Sequence, residues 1–412
     1  RLEQLLSDHN ADCTAPCVMT CPAHIDIQFY LMHVEAGNFE AALKVIKQKN
    51  PFPIACGRVC PHPCEAQCRR NLVDEPVAIN YVKRFAADWD IASGTPFVPK
   101  KAESTGKKIA IIGAGPSGLS AAYYSAINGH DVTVFERHNQ PGGMMRYGIP
   151  EYRLPKAQLD KEIDVIRALG VKIICEKNLG TSIHLEDLHK NFDAVYLAIG
   201  SWRATPMQIE GENLKNVWLG INFLEIVTKG EKIDIGDKVI VIGGGNTAID
   251  CARTALRKGA KDVKIIYRRT EDEMPAEHYE VEDAKHEGIE ILTLTAPKKI
   301  TEGNGKKQLE CIKMTLGELD RSGRRRPVSI EGSEFIMEAD TIIGAIGQST
   351  NTQFLYNDLP VKLNKWGDIK IDGRTMQTSV DKVFSGGDCV TGPATVVQAV
   401  GAGRRAAEAM HC

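Results

Sequence analysis

The chain has 412 residues, a formal net charge of −2 and 43% hydrophobic residues, enough to bury two or three cores. So even a charge balance provides no field for nucleic acid or an acidic membrane surface, and neither is expected as a partner. No apolar run of 18 residues and no secretory leader pattern occurs, so no membrane span is expected and the cytoplasm is the expected compartment.

Seven of the 12 cysteines fall in the first 70 residues. They are Cys13, Cys17 and Cys21, then Cys56-Gly-Arg-Val-Cys60-Pro-His-Pro-Cys64-Glu-Ala-Gln-Cys68. Regular gaps of three residues, with Pro22 and Pro61 directly after ligand candidates, fit iron–sulfur ligation better than zinc, and disulfides least of all in a cytosolic chain. Apolar periodicity predicts helices over Phe39 to Gln48 and Ile79 to Trp89, before a polar, proline-bearing linker from Ser93 to Lys108.

A β-branched run then leads into Gly113-Ala-Gly-Pro-Ser-Gly118, followed by an amphipathic helix (Leu119 to Asn128) and a second strand (Val132 to Phe135) ending at Glu136. Gly113, Gly115 and Gly118 permit a tight turn whose backbone N–H groups approach a pyrophosphate, with Pro116 and Ser117 opening the helix. The Glu136 carboxylate suits a ribose diol, as in FAD or NAD without a 2′-phosphate. Next come Pro141-Gly142-Gly143 and Arg146, candidates for flavin and pyrophosphate contact or else a glycine turn with a surface arginine.

About 130 residues on, the same pattern repeats as Gly243-Gly-Gly245-Asn246-Thr247-Ala248, with its own helix (Ile249 to Lys258) and strand (Val263 to Tyr267). Here the second strand leads to Arg268 and Arg269, whose guanidinium forks favour a 2′-phosphate and hence NADP(H), unless they form a solvated basic turn. Asp320-Arg-Ser-Gly323 reads as a hairpin turn, and Arg324-Arg-Arg326 after it as a solvated or docking loop. Each half closes on a similar strand, Asp193 to Gly200 and Asp340 to Gly347.

Near the end, Val383 to Asp388 reads as a strand ending in Gly387 and Asp388, and Pro393-Ala394-Thr395 opens a helix running to about Met410. Asp388 is placed for a flavin's ribityl hydroxyl, and the helix start at Ala394 and Thr395 for negative charge on a reduced flavin ring. Since this element follows the second nucleotide half, the FAD domain must be discontinuous. The expected fold class is therefore α/β: a helical iron–sulfur domain over 1–106, an FAD domain over 107–200 and 348–412, and an inserted NADP(H) domain over 201–347. A redox CxxC pair of the thioredoxin reductase type is absent, because Cys175, Cys251, Cys311 and Cys389 lie far apart in sequence.

Together, the cysteine front, Gly113 to Gly118, Pro141-Gly-Gly-Met-Met-Arg-Tyr-Gly-Ile-Pro150, Gly243 to Ala248 and Tyr267-Arg-Arg269 resemble the small (beta) subunit of NADPH-dependent glutamate synthase. The same module is similar to the N-terminal half of dihydropyrimidine dehydrogenase and to the large subunit of NADH-dependent ferredoxin:NADP oxidoreductase. The resemblance covers essentially the whole chain and implies two [4Fe-4S] clusters, FAD and NADP(H). By analogy, His9, Cys13, Cys17 and Cys68 hold one cluster, and Cys21, Cys60 and Cys64 the other.

Two departures from that family stand out. A histidine, His9, takes the place of the usual leading cysteine, in a His-x3-Cys spacing like that of a histidine-ligated cluster in complex I-type dehydrogenases; otherwise it is a surface histidine. Lys83 occupies the position where the family offers an oxygen ligand, and an ammonium has no lone pair to give. Cys56 is then either the replacement ligand or a buried structural thiol.

The expected chemistry is hydride exchange between NADP(H) and FAD, with no side-chain acid or base and so no catalytic residue, then single electrons through the clusters. Expected partners are other oxidoreductase subunits, either flavin/NADH and ferredoxin-like ones in a complex that can bifurcate electrons, or a glutamate synthase large subunit, with ferredoxin itself a further candidate. A non-catalytic nucleotide sensor is the alternative from another class. Arg1 is not an initiator, and a preceding ferredoxin-like domain is expected.

Overall fold

The computed structural model describes residues 14–303, 305–320 and 323–412. Short helices come first: Pro16–Thr20, Ile27–Glu35, Phe39–Lys47, Pro53–Val59, Pro63–Ala66 and Ile79–Ala92. Prolines open three of them, at first-turn positions where a missing N–H costs nothing. The two predicted helices are present; the second runs three residues further, to Ala92, where Asp90 accepts bonds from Lys47 and from the Phe97 N–H.

Sixteen strands follow among the described residues. They are β1 (Lys108–Ile112), β2 (Asp131–Phe135), β3 (Lys172–Ile174), β4 (Ala194–Leu197), β5 (Arg203–Ala204), β6 (Val217–Leu219), β7 (Lys238–Ile242), β8 (Asp262–Ile266), β9 (Glu290–Leu292), β10 (Thr295–Gly303), β11 (Lys306–Leu319), β12 (Arg325–Ser329), β13 (Phe335–Ala339), β14 (Thr341–Gly344), β15 (Gln348–Ser349) and β16 (Val383–Ser385).

The chain forms two compact units. The first comprises Arg1–Arg146, Tyr152–Ser201 and Thr350–Cys412, and the second Tyr147–Glu151 and Trp202–Ser349. The short segment Tyr147–Glu151 thus goes with the second unit, where the Tyr147 ring lies 6.0 Å from the Trp202 ring, tilted by 60°.

In the first unit a parallel sheet runs β16-β4-β1-β2-β3. Its central strands are buried Ile, Val and Leu runs, as expected for a sheet covered on both faces. Helix Val396–His411 packs on helix Pro116–Ile127 so closely that a Cβ on Gly403 would lie 2.1 Å from the Ser117 carbonyl oxygen. The cysteine-bearing helices belong to this same unit and are stapled to it. A Cβ on Gly401 would meet the Pro22 oxygen at 2.3 Å, and the Tyr124 hydroxyl donates to the Lys47 carbonyl at 3.3 Å.

The second unit repeats the architecture with a sheet β6-β14-β7-β8-β9. An antiparallel sheet of β10 to β13 is inserted between β9 and β14. One core packs the β7 and β14 side chains Val241 and Ile343 against helix Asn246–Arg257, and another packs Ile240 and Ile342 against Leu309 and Ile300 of the inserted sheet.

Candidate functional sites: two nucleotide turns and a thiol nest

The first turn shows why glycine is required. Gly113 has φ +101°, and a Cβ there would stand 2.3 Å from the Ala198 oxygen; one on Gly118 would stand 1.9 Å from the Gly113 oxygen. Gly115 is different: its Cβ would meet only the Gly143 Cα, at 3.9 Å, so the bare backbone lies open at the N-terminus of helix Pro116–Ile127. That cradle fits a dinucleotide pyrophosphate.

Pro141-Gly142-Gly143 folds over this turn. The Gly142 N–H donates to the Ala114 carbonyl at 2.8 Å, and a Cβ on Gly143 would be 2.6 Å from the Gly115 Cα. Arg146 is buried, donates to the Pro141 carbonyl at 2.5 Å and pairs with Asp160. In this geometry its guanidinium stiffens the loop rather than standing open at the surface.

Glu136 accepts from the Ala114 N–H at 2.7 Å and the His138 N–H at 2.9 Å. Burial pushes its carboxyl above the ordinary value, while those two bonds and the Arg137 charge pull it back. A carboxylate has lone pairs enough to take a ribose hydroxyl as well. Ser117 shares a 2.7 Å hydrogen bond with the Tyr196 hydroxyl, and Gly387, at φ +78°, abuts Ser117. Asp388 follows, its carboxyl pushed up to about 7 by burial against an opposing bond from the Ala394 backbone. Thr395 caps helix Val396–His411 through a reciprocal box with Gln398. All these positions cluster at the carboxyl ends of β1, β2, β4 and β16, the edge where open α/β sheets bind ligands.

In the second unit, Gly243 has φ +148° and a Cβ there would strike the Ala345 oxygen at 2.2 Å. The middle glycine, Gly244, is demanded by Tyr267, whose ring would lie 2.5 Å from a Cβ. Gly245, Asn246 and Thr247 are half-exposed at the helix start, where the Asn246 side-chain oxygen accepts from the Glu277 N–H at 3.0 Å. Gly347, at φ +132°, ends the β14 segment and accepts from the Thr205 N–H at 3.0 Å.

The arginine pair divides. Arg268 is exposed, whereas Arg269 is 4% exposed, donating to Asp320 at 2.6 Å and to the Arg325 carbonyl at 2.7 Å. The exposed guanidinium is that of Arg268; Arg269 ties the β8 end to the segment between β11 and β12, which pair antiparallel, and Arg325 and Arg326, expected in a loop, lie in β12.

The thiols form a nest among the N-terminal helices. Cys21, Cys60 and Cys64 are buried and lie within electrostatic reach of one another, while Cys17 senses Cys68 and Cys21. Cys17 thus neighbours a thiol from each of the two ligand sets implied by family resemblance; His9 and Cys13 lie outside the described residues. Among the described residues all cysteines are free, and no three His, Cys, Asp or Glu side chains converge tightly enough for a single ion. Soft thiols gathered among short helices suit a four-iron cubane, whose thiolates sit on separate irons. Burial raises the Cys17, Cys60 and Cys64 thiols, Cys64 to about 12, so ligation must displace their protons. Cys56 is fully buried, and its thiol donates to the Asn50 side-chain oxygen at 3.8 Å, the bond of an interior thiol.

One contact was not foreseen from sequence. Glu162, buried on helix Lys156–Ala168, accepts from the Ile54 and Ala55 N–H groups at 2.6 and 3.1 Å and so caps the helix that carries Cys56. Burial pushes its carboxyl up to about 8, although those bonds and the Lys47 and Arg58 charges act the other way. The available signal was a carboxylate on the apolar stripe of Leu159, Ile163 and Ile166.

The pyridine nucleotide-disulphide oxidoreductase family profile matches residues 107–403, well over half of the chain. The chain belongs to that family. Residues 8–95 of this oxidoreductase match a second profile, dihydropyrimidine dehydrogenase domain II, 4Fe-4S cluster, so a 4Fe-4S domain precedes its nucleotide-binding domains. Among named relatives, the oxidoreductase is 43% identical to the NADPH-Fe(3+) oxidoreductase subunit beta of Geobacter sulfurreducens, over 97% of this chain and 63% of that protein. It is 43% identical to the NADP(+)-dependent formate dehydrogenase subunit beta of Moorella thermoacetica, over 96% and 59%. It thus spans about three-fifths of both. The glutamate synthase [NADPH] small chain of Escherichia coli is 35% identical over 98% of this chain and 89% of that one. In fold it resembles Mycobacterium tuberculosis FprA in complex with NADPH, at a TM-score of 0.62 and 18% identity over 74% and 84% of the two chains. Among the described residues no helix is long and apolar enough to cross a membrane.

Proposed function

We propose that this chain is the NADP(H)-linked electron-transfer subunit of a multi-subunit oxidoreductase, exchanging hydride between NADP(H) and FAD and single electrons through two [4Fe-4S] clusters. The observation that carries the reading is the union, in one compact unit, of a flavin-type dinucleotide cradle and a nest of buried thiols, stapled by Glu162. When bound, FAD links two-electron nicotinamide chemistry to the one-electron chemistry of iron–sulfur clusters.

The chain's own residues bind and orient. The Gly113–Gly118 turn and the helix it opens take the flavin pyrophosphate, Glu136 its ribose, and Asp388 its ribityl hydroxyls. Gly243 to Thr247 take the NADP(H) pyrophosphate, and Arg268 the 2′-phosphate. Cys21, Cys60 and Cys64 hold one cluster, and Cys17 and Cys68, with His9 and Cys13, the other. No side chain is assigned as acid or base, since hydride transfer needs close orientation instead.

Partner subunits are inferred from the relatives, two of which are named beta subunits and one a small chain. Partners of the kind that accompany those beta subunits are favoured over a glutamate synthase large subunit, because the 43% identities lie with the beta subunits; a flavin/NADH subunit with a ferredoxin-like one is the set proposed. Anaerobic addition of NADPH to the purified protein tests the proposal: the yellow absorbance should bleach and a reduced-cluster EPR signal should grow. Flavin that is bound but stays oxidised would instead make the chain a nucleotide sensor.

A further inference from the structure

The hydroxyl of Tyr196 lies where three stretches of chain meet. Tyr196 is on β4, paired with Ile111 of β1 on one side and with Phe384 of β16 on the other. Its ring is fully buried, and at its tip it shares the 2.7 Å hydrogen bond with Ser117, itself 5% exposed. Ser117 stands in the first turn of the helix that the Gly113–Gly118 turn opens. On the other flank, the chain leaving β16 passes so near that a Cβ on Gly386 would strike the same hydroxyl, and one on Gly387 would come 2.9 Å from the Ser117 Cβ. Asp388 is the next residue of that segment.

A phenol in a strand core needs a partner for its hydroxyl, and phenylalanine would fill the same space without that need. The bond therefore has to be explained by what it joins. The segment after β16 is anchored to β4 by the Ser385 hydroxyl and the Cys389 thiol, which donate to the Leu197 carbonyl at 2.9 and 3.6 Å. The Tyr196–Ser117 bond extends that anchorage across to the helix start. One end of the linkage is the turn assigned to a pyrophosphate, and the other is the segment assigned to a ribityl chain. With its hydroxyl directed at Tyr196, Ser117 keeps its backbone N–H, one of the donors left over at a helix start, for the phosphate.

We propose that Tyr196 is a positioning residue for FAD: through Ser117 its hydroxyl holds the pyrophosphate turn and the Asp388 segment at a fixed separation before the cofactor arrives. This rests on the flavin reading above. A ligand gripped at two points binds weakly when it must first order both of them, and a scaffold that fixes them beforehand removes that cost.

The test uses the full chain with its flavin. Tyr196→Phe keeps the ring and deletes the hydroxyl, while Ser117→Ala breaks the same bond from the other end. Affinity is read from the flavin fluorescence recovered on dilution, and the seating of the bound ring from its visible circular dichroism. Each single variant should raise the Kd for FAD about tenfold, as expected for one lost buried hydrogen bond, and change the dichroism in the same sense. The double variant should bind no more weakly than either single one, because all three delete one interaction. A Kd within about twofold of wild type in either single variant overturns the proposal, as does a double variant in which the two losses multiply. Weaker binding with unchanged dichroism makes Tyr196 a packing residue instead. If Tyr196→Phe does not fold, Ser117→Ala decides: weakened FAD with altered dichroism upholds the role, and wild-type affinity overturns it. Wild-type protein that neither carries nor takes up FAD would overturn the underlying flavin reading.

Discussion

Arg268 and Arg269 are neighbours in sequence with unlike duties. Arg268→Ala should raise the KM for NADPH about tenfold while leaving NADH use nearly unchanged, because a guanidinium fork on a 2′-phosphate has nothing to grip in NADH. Arg269→Ala should act through stability, costing about 1–3 kcal/mol by removing the buried guanidinium that holds Asp320 and the Arg325 carbonyl. Steady-state kinetics with both nucleotides, beside thermal melts, separate the two; equal losses for NADPH and NADH in Arg268→Ala would refute the 2′-phosphate role. Asp388 carries a pH signature. Its folded carboxyl is raised from 3.8 to about 7, so its contribution to stability is complete below about pH 4 and lost as pH rises through about 7. In FAD-free protein, Asp388→Asn should therefore melt higher than wild type at pH 8, by an increment of about 4 kcal/mol at most, and match it near pH 4. Identical melting curves at pH 8 would show that this carboxyl is not held in the interior.

Among the helices, Gly57 sets a distance. Gly57→Ala would press a methyl into Arg84 and lift helix Ile79–Ala92 from helix Pro53–Val59, at a cost of about 1–3 kcal/mol. Iron retention after desalting should fall in this variant, as measured by metal analysis; full iron with an unchanged melting temperature would mean the two helices separate freely. The need for glycine at this site was not legible from the motif, because Cys56-Gly-Arg-Val-Cys60 discloses the ligand spacing but not which neighbour lies across it. The dinucleotide turns were far more legible. Gly118 answers to Gly113 within its own strand-turn-helix unit, so local sequence carries that reason, whereas Gly113 and Gly243 also answer to the distant Ala198 and Ala345 carbonyls. Arg269 with Asp320, and Glu162 with Ile54, join residues 51 and 108 apart, and no short-range pattern encodes such pairings.

Two compact units, each with its own parallel sheet, are expected to respond to ligands separately. Oxidised NADP+ at about one hundred times its Kd should stabilise the unit holding Gly243 by about 2.7 kcal/mol, raising one calorimetric transition. The flavin-bearing unit should keep its transition if it unfolds independently; a rise of both by the same amount would show a single cooperative block. The first unit is also assembled from distant stretches of chain. β4 ends at Leu197, yet its outer neighbour β16 begins only at Val383. During synthesis at about 5–20 residues per second, β4 therefore waits roughly ten seconds or more for that partner to leave the ribosome. Throughout that interval its unpaired N–H and C=O groups form an adhesive margin, inviting association between nascent chains. Slowing translation between those two strands should accordingly lower the soluble yield, and co-expressed chaperones should restore it.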